Sequence, residues 1–416
     1  MKLLHRAVQN NYFRHSFVMA AAYATAAALG FLFWMIAANR FSPEVVGEGQ
    51  FIISAMTAIS AVSLLGFNVS LMHYFPREQG KMNLFSTCLL TSLGIAFCLS
   101  VLFLLFLPHL GDFPRMTGID FSILFIFSTL MWTMGIMLET AYTAMQQTVH
   151  VLGRNVLLGF GKIIGLFWWQ GSSVLFVSWG LSAALTNAAS GIREIFRGRA
   201  KAFRVEWSYS TLKKIGRLSL SDYVAWSFPF VSLFILLSLI NYFGTPYDAG
   251  LFSIPWSVAN ILFMISFTVT QVFIGEASRS QTDFKLLLKY ALMFSSVIWA
   301  GSVLLGLFSV PILLLFGETY ALASDLFSIL LASVIPVSVI NIFVIIQNLR
   351  NKSTSLFLFN AFRLFILVFA AGLLIPSLGI IGAGWAWLIS NLAVVPFAIY
   401  RMRTLTQKNL RSEAAV

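Results

Sequence analysis

Apolar stretches about as long as a bilayer is thick recur along the whole chain, and they limit what it can fold into. A membrane helix needs about 20 apolar residues to cross a hydrocarbon core of about 30 Å. Hydrophobic residues make up 59% of the chain, against about 45–50% in globular proteins. We therefore predict an all-α, polytopic membrane protein of about twelve transmembrane helices. The spans lie near 16–38, 47–72, 84–107, 121–145, 155–169, 172–192, 218–242, 249–275, 286–308, 322–348, 356–375 and 379–400.

Lysine and arginine are divided unequally between the two sets of loops that alternate along these spans. The set that includes both termini holds 23 of the 27, counting Arg154, whereas the opposite set holds only Arg40 and Arg115. Because cytoplasmic loops carry the excess of positive charge, we expect both termini in the cytoplasm. The formal charge of +12 then reflects topology and not binding to nucleic acid.

Short patterns in the first half of the chain return in the second half. Pro43-x-x-x-Gly47 before the second span is repeated as Pro246-x-x-x-Gly250 before the eighth. Trp179 in the sixth span precedes Arg193 by fourteen residues, and Trp387 in the twelfth span precedes Arg401 by the same number. Two repeats of six helices in the same orientation are typical of transporters with a binding site between two bundles.

The repeat predicts four parts, divided by a basic segment that holds eight lysines and arginines near the midpoint of the chain. They are an N-terminal six-helix bundle (1–192), a basic cytoplasmic linker (193–217), a C-terminal six-helix bundle (218–400) and a cytoplasmic tail (401–416).

Two cations, Lys162 and Arg363, lie inside predicted spans, where each costs at least about 2.5–3.5 kcal/mol. Lys162 follows Arg154 by eight residues, which places it about 12 Å below the cytoplasmic surface, and we expect Arg363 at a similar depth. Together they predict an anion site suited to phosphate or diphosphate. The alternative is that each cation neutralises a buried acid or extends to the surface. Gly161-x-x-x-Gly165 around the lysine predicts a close helix approach.

Five further residues are candidates for the transport pathway. Glu139 and Asp222 are candidates for coupling transport to H⁺ or Na⁺, although a Glu139–Lys162 ion pair and a solvated or capping role for Asp222 are alternatives. Arg14, Gln146 and Gln347 are candidates to line the cavity or its mouth, or else lie at the membrane interface.

Patterns of soluble catalysis are missing from the sequence. It has no phosphate-binding glycine loop, no cluster of histidine and cysteine, and no Gly-x-Ser-x-Gly elbow. We therefore expect no enzyme, no catalytic residue, no metal site and no cofactor apart from a coupling ion. The energy would come from an ion gradient, from the substrate gradient or from a partner.

Several segments together resemble the polysaccharide-type flippases of the multidrug/oligosaccharidyl-lipid/polysaccharide exporter superfamily. They are RFSPEVVGEGQF, LLGFNVSLMHYFP, TPYDAGLFSIPWSVANIL, FGETYALASDLFSILL and GIIGAGWAWLISN. The resemblance implies a V-shaped pair of pseudo-symmetric bundles around a cationic cavity, whose cations here are Lys162 and Arg363. The chain has Leu239-Ile240 where members often have Asp-Arg, which argues against an ion-coupling scheme based on that pair.

The resemblance also implies the cargo, an undecaprenyl-pyrophosphate-linked oligosaccharide such as an O-antigen or exopolysaccharide repeat unit. Its partners would be this lipid-linked glycan, membrane lipids and a polymerase or other glycan-assembly protein, and we expect a monomer.

One alternative is a drug/cation antiporter of the same superfamily, which would need buried acids. A second is a membrane glycan polymerase or ligase, which would need a longer extracytoplasmic loop, and a third is a structural membrane protein.

Overall fold

The computed structural model describes residues 2–75, 81–110, 118–168, 173–196, 207–280, 284–349 and 353–413. Within these ranges, several side chains lie outside the description, chiefly those of residues 2–14, 214–226, 269–280, 284–290 and 405–413. Every regular element in the described part of the chain is helical. The predicted all-α class is confirmed.

Seven α-helices form the described part of the first half of the chain. Their lengths and apolar character follow the predicted spans, except that the second predicted span is broken into two helices. They are α1 (Lys2–Arg40), α2 (Pro43–Ser63), α3 (Phe67–Tyr74), α4 (Lys81–Phe106), α5 (Ile119–Ala144), α6 (Thr148–Trp168) and α7 (Val174–Phe196). A 3₁₀ turn, Leu107–His109, follows α4.

In the second half, the residues that the structure describes form another seven α-helices. They are α8 (Tyr209–Phe243), α9 (Pro246–Ser280), α10 (Phe284–Leu307), α11 (Ser309–Leu314), α12 (Ser324–Ala332), α13 (Val334–Leu349) and α14 (Ser353–Glu413). A 3₁₀ helix, Glu318–Ala323, precedes α12.

Nine helical stretches among the described residues are long and apolar enough to cross a membrane, and Ser227–Phe243 and Ala291–Leu307 are shorter apolar helices. The longest stretch, Ser355–Met402, has 48 residues and bends at Gly379, where φ is 57° and ψ is −136°. Only glycine adopts this backbone conformation readily, so α14 contains two predicted spans. The prediction of about twelve spans is confirmed.

The break between α2 and α3 has a similar local cause. Leu65 and Gly66 both have positive φ, 45° and 76°, and turn the chain out of the helix. Positive φ costs a leucine more than it costs a glycine. This cost is offset by burial, because Leu64 and Phe67 on either side are almost fully buried in one apolar cluster.

The chain forms two compact units. Unit 1 comprises Met1–Phe41 and Glu48–Phe234, and unit 2 comprises Ser42–Gly47 and Ile235–Val416. Part of the predicted linker, residues 197–206, lies outside the described residues. The predicted division at 193–217 therefore stays a prediction.

Within unit 2, the two copies of the Pro-x-x-x-Gly motif pack against each other. A Cβ atom built on Gly47 would lie under 3.0 Å from the carbonyl oxygen of Pro246, and one built on Gly250 would lie equally close to the carbonyl oxygen of Pro43. The contact is reciprocal, as expected of two equivalent copies of a repeat. Only glycine allows these backbones to approach so closely.

Candidate functional site

Lys162 lies on α6, and glycines determine how closely α6 packs on its neighbours. A Cβ on Gly161 would come within 2.8 Å of Ser182 Oγ, and one on Gly165 within 2.6 Å of Ser178 Cβ, both on α7. A Cβ on Gly159 would come within 2.5 Å of a side-chain carbon of Leu29 on α1. The predicted close approach at Gly161-x-x-x-Gly165 is confirmed.

The ammonium group of Lys162 lies over the faces of two tryptophans. Its Nζ atom is 3.4 Å from the ring centroid of Trp179 on α7 and 4.8 Å from that of Trp132 on α5. The two indole rings are 4.9 Å apart, and Phe33 of α1 meets Trp179 edge-on at 6.1 Å. We call Lys162, Trp132, Trp179 and Phe33 the lysine cage. A cation over an indole face is stabilised by the ring quadrupole.

Lys162 makes no hydrogen bond and no ion pair with the part of the chain that the structure describes. Its side chain is half-buried. An ammonium group has three N–H donors, and the indole faces of the cage supply no acceptor lone pair. The predicted alternative in which Glu139 neutralises Lys162 is therefore wrong for the described residues.

Arg363, the second predicted cation, lies on α14 in unit 2 and is buried. The guanidinium carbon is 5.4 Å from the ring centroid of Trp387, and Nη2 donates a hydrogen bond to Asn391 Oδ1. Trp387 also meets Trp256 of α9 edge-on at 4.8 Å. Lys162 and Arg363 thus each contact the tryptophan that the repeat pairs with the tryptophan of the other unit.

The two cations do not occupy equal positions along their helices. Lys162 lies fourteen residues after the first residue of α6, about 21 Å along the axis, whereas Arg363 lies ten residues after the start of α14, about 15 Å. Lys162 is only six residues from the other end of α6. Arg154, from which the depth of about 12 Å was counted, is itself buried within α6. The depth of the two cations in the membrane therefore stays a prediction.

Arg154 was counted among the loop residues, but it lies inside α6 and is 7% exposed. Four acceptors surround its guanidinium group. They are the carbonyl oxygens of Gly135 (3.3 Å) and Thr186 (3.4 Å), Asn187 Oδ1 (3.0 Å) and Ser190 Oγ. Asn187 and Ser190 are three residues apart on α7 and so share a face. That polar pair was the signal in the sequence that a buried partner lies opposite.

Arg154→Ala is expected to destabilise the protein by about 3–5 kcal/mol, because it leaves buried acceptors unpaired and opens a cavity. Arg154→Lys should not restore stability, since an ammonium group cannot reach acceptors on two helices in the way a planar guanidinium does. Thermal unfolding of the purified protein measures both changes. Arg401→Ala, at an exposed arginine, is the control; an Arg154→Ala protein as stable as this control would contradict a structural role.

Glu139 lies on α5 and is half-buried. Its oppositely charged neighbour is Arg154, and Tyr23 of α1 also lies within its electrostatic reach. The described residues form no ion pair with Glu139 within 4.0 Å. The acid thus lies inside unit 1 within electrostatic reach of the buried arginine.

The other candidate residues differ in their surroundings. Gln347 on α13 is 2% exposed, and its Oε1 atom has no hydrogen-bond donor among the described residues. Gln146 is exposed in the turn between α5 and α6, with φ of 58°. Arg14 and Asp222 fall on α1 and α8, but their side chains lie outside the described residues.

Comparison with known proteins gives matches by structure alone. No family model matches the sequence, and no curated protein matches it. A multidrug resistance MATE family transporter of the MOP superfamily, in an inward-facing conformation, matches with a TM-score of 0.66 at 17% identity over 94% of this chain and 99% of its own. The lipid II flippase MurJ matches with a TM-score of 0.70 at 14% identity over 93% and 87%.

A MATE transporter of Vibrio cholerae also matches, with a TM-score of 0.64 at 15% identity over 98% of each chain. These likenesses extend over nearly the whole chain and show that it has the fold shared by the MATE transporters and the lipid II flippase. The resemblance to this superfamily is confirmed at the level of the fold.

Proposed function

We propose that the protein is a flippase that moves an undecaprenyl-pyrophosphate-linked oligosaccharide, an O-antigen or exopolysaccharide repeat unit, from the inner to the outer leaflet by alternating access. The observation that carries the proposal is Lys162, an intramembrane cation with no acceptor among the described residues. Arg363 is the second contact for the anion. Gln347, whose buried Oε1 atom has no donor among the described residues, is a candidate to bind a hydroxyl group of the cargo.

A charged side chain inside the membrane must be compensated by its surroundings. A lysine or arginine at the centre of a membrane helix costs about 2.5–3.5 kcal/mol on insertion scales. Arg154 offsets this cost with four acceptors inside its own unit, whereas the lysine cage gives Lys162 only indole faces. A diphosphate group has several charged acceptor oxygens, so it satisfies an ammonium group better than any described neighbour does.

A second candidate function is the export of an organic cation, and the lysine cage itself favours it. Adjacent tryptophan rings, here with centroids 4.9 Å apart, are typical of sites where proteins bind ammonium ligands. Most of the matching structures are also MATE transporters. The two functions predict opposite effects of Lys162→Ala. Removing the lysine frees the indole faces for an organic cation, but it removes a contact from an anion.

We place the transporter in the bacterial inner membrane with both termini in the cytoplasm. There it acts as a monomer alongside a polymerase or another glycan-assembly protein. The charge bias of the loops supports the orientation. A glycan polymerase or ligase is disfavoured, because the matching structures are transporters and a flippase.

Deleting the gene tests the proposed function directly. We expect diphosphate-linked repeat units to accumulate in the inner leaflet, where they stay inaccessible to reagents added from outside. Restoring the wild-type gene should clear them. Normal export of the repeat units in the deleted strain, together with increased sensitivity to cationic drugs, would favour the organic-cation candidate instead.

Glu139 is our candidate for ion coupling, with Asp222 as a second candidate. Glu139→Gln is expected to abolish the stimulation of transport by an imposed H⁺ or Na⁺ gradient. The neutral amide has no negative charge with which to take up a proton or bind Na⁺. Transport into proteoliposomes with and without each gradient measures this effect. Glu194→Gln is the matched control, since Glu194 pairs with the adjacent Arg193 at 3.0 Å. Unchanged stimulation in the Glu139 variant would exclude the coupling role.

A further inference from the structure

Among the described residues, Arg154, Lys162 and Arg363 lie well inside candidate membrane spans, and their polar contacts differ in number. Arg154 donates to four acceptors, and Arg363 combines an indole face with a hydrogen bond to Asn391. Lys162 has the closest aromatic contact of the three and, among the described residues, no acceptor. The predicted pair of equivalent anion contacts is therefore unequal, and Lys162 is the cation that gains most from an incoming acceptor.

The lysine cage holds the ammonium group from two helices at once. Trp132 comes from α5 and Trp179 from α7, while Lys162 stands on α6, which packs closely on α7 through Gly161 and Gly165. A third ring, Phe33, meets Trp179 edge-on. These contacts determine the orientation of the indole that lies 3.4 Å from the ammonium nitrogen. The aromatic rings thus form a cation-binding site, and the cation in it is the side chain of Lys162.

We propose that Trp132 and Trp179 are positioning residues that hold Lys162 while no substrate is bound and compete with the diphosphate for its ammonium group. This inference rests on the proposed function, because it takes an anionic cargo as given. Binding of the cargo moves the ammonium from the indole faces to the phosphate oxygens. The cage therefore weakens the affinity for the anion, and it keeps the charge of the lysine compensated when the site is empty.

If the indole faces compete with the anion, weakening their contact with Lys162 should raise the affinity of the protein for the anion. Phenylalanine retains an aromatic face of lower negative potential than indole, so Trp179→Phe weakens the cation contact without removing the ring. We expect this variant to bind undecaprenyl diphosphate about threefold more tightly than wild type. Trp132→Phe should act in the same direction but less strongly, since its ring is farther from Nζ, at 4.8 Å.

The test measures the dissociation constant of undecaprenyl diphosphate for the purified full-length protein in lipid nanodiscs of phosphatidylethanolamine. Trp168→Phe is the matched control, because Trp168 lies on the same helix as Lys162 and is 86% exposed. Its affinity should equal that of wild type. In a Lys162→Gln background, Trp179→Phe should no longer tighten binding.

The outcomes separate this inference from the function on which it rests. A wild-type protein that does not bind undecaprenyl diphosphate would overturn the proposed function and this inference with it. Wild-type binding that is lost in Lys162→Gln, combined with unchanged or weaker binding in both phenylalanine variants, would keep the function and overturn the cage. A purely structural role for the tryptophans predicts weaker binding and a lower unfolding temperature, whereas competition predicts tighter binding.

Discussion

Transport of the diphosphate lipid is expected to fall at least about tenfold when Lys162 is replaced by alanine, because the variant loses a charge-assisted hydrogen bond of about 1.5–3 kcal/mol to the anion. The protein itself should remain folded, since the described residues give the lysine no hydrogen bond or ion pair to lose. Clearance of lipid-linked repeat units in a deleted strain that carries the variant gene measures the effect.

Two comparisons make the result specific to the site. Lys213→Ala, at an exposed lysine of α8 outside the apolar spans, should transport at the wild-type rate. Arg363→Ala should also reduce transport, but with lower stability, because Asn391 loses the hydrogen bond from the guanidinium group. Wild-type transport by both the Lys162 and Arg363 alanine variants would exclude them as substrate contacts.

Alanine at Gly47 or Gly250 is expected to lower the stability of the protein by about 3 kcal/mol or more. In each case the new methyl group would lie under 3.0 Å from a backbone carbonyl oxygen of the other motif. A backbone oxygen inside a packed helix pair cannot rotate away as a side chain can, so the helices must separate. The unfolding temperature of the purified protein and the amount inserted in the membrane measure the loss.

Gly301→Ala is the matched control for both substitutions. Gly301 lies on α10 in the same unit, and a Cβ atom there meets nothing within 4 Å. This change should leave stability unchanged or raise it by up to about 1 kcal/mol, because alanine favours the helix. If Gly47→Ala and Gly250→Ala unfold at the same temperature as Gly301→Ala, the two motifs do not form the contact described here.

The sequence was sufficient for the membrane helices because apolar length is a local property. The boundary between the last two predicted spans, which end at Ile375 and begin at Gly379, was set on length alone, and the structure bends the chain at Gly379. The break after α2 was not predicted, because nothing in the composition of Leu64–Phe67 marks Leu65 for a positive φ. Such a break depends on burial against α4 and α5, which is a tertiary effect.

The candidate site was predicted in part for the same reason. Lys162 and Arg363 stood out because charge is rare inside a span, and Trp179 and Trp387 were paired through the repeat. Lys162 and Trp179 lie on different helices, and Arg363 and Trp387 lie on either side of the bend in α14. Spacing along the chain therefore could not predict either contact. Arg154 was misplaced because its acceptors lie on α5 and α7.

The most direct test of an anionic cargo is the rate at which purified protein in liposomes moves a fluorescent undecaprenyl diphosphate glycolipid between leaflets, read from its access to a quencher that cannot cross the membrane. Wild-type protein should accelerate this movement, and the protein with both Lys162→Ala and Arg363→Ala should match protein-free liposomes. Equal rates for wild type and the double variant, or faster uptake of an organic cation after Lys162→Ala, would contradict the account.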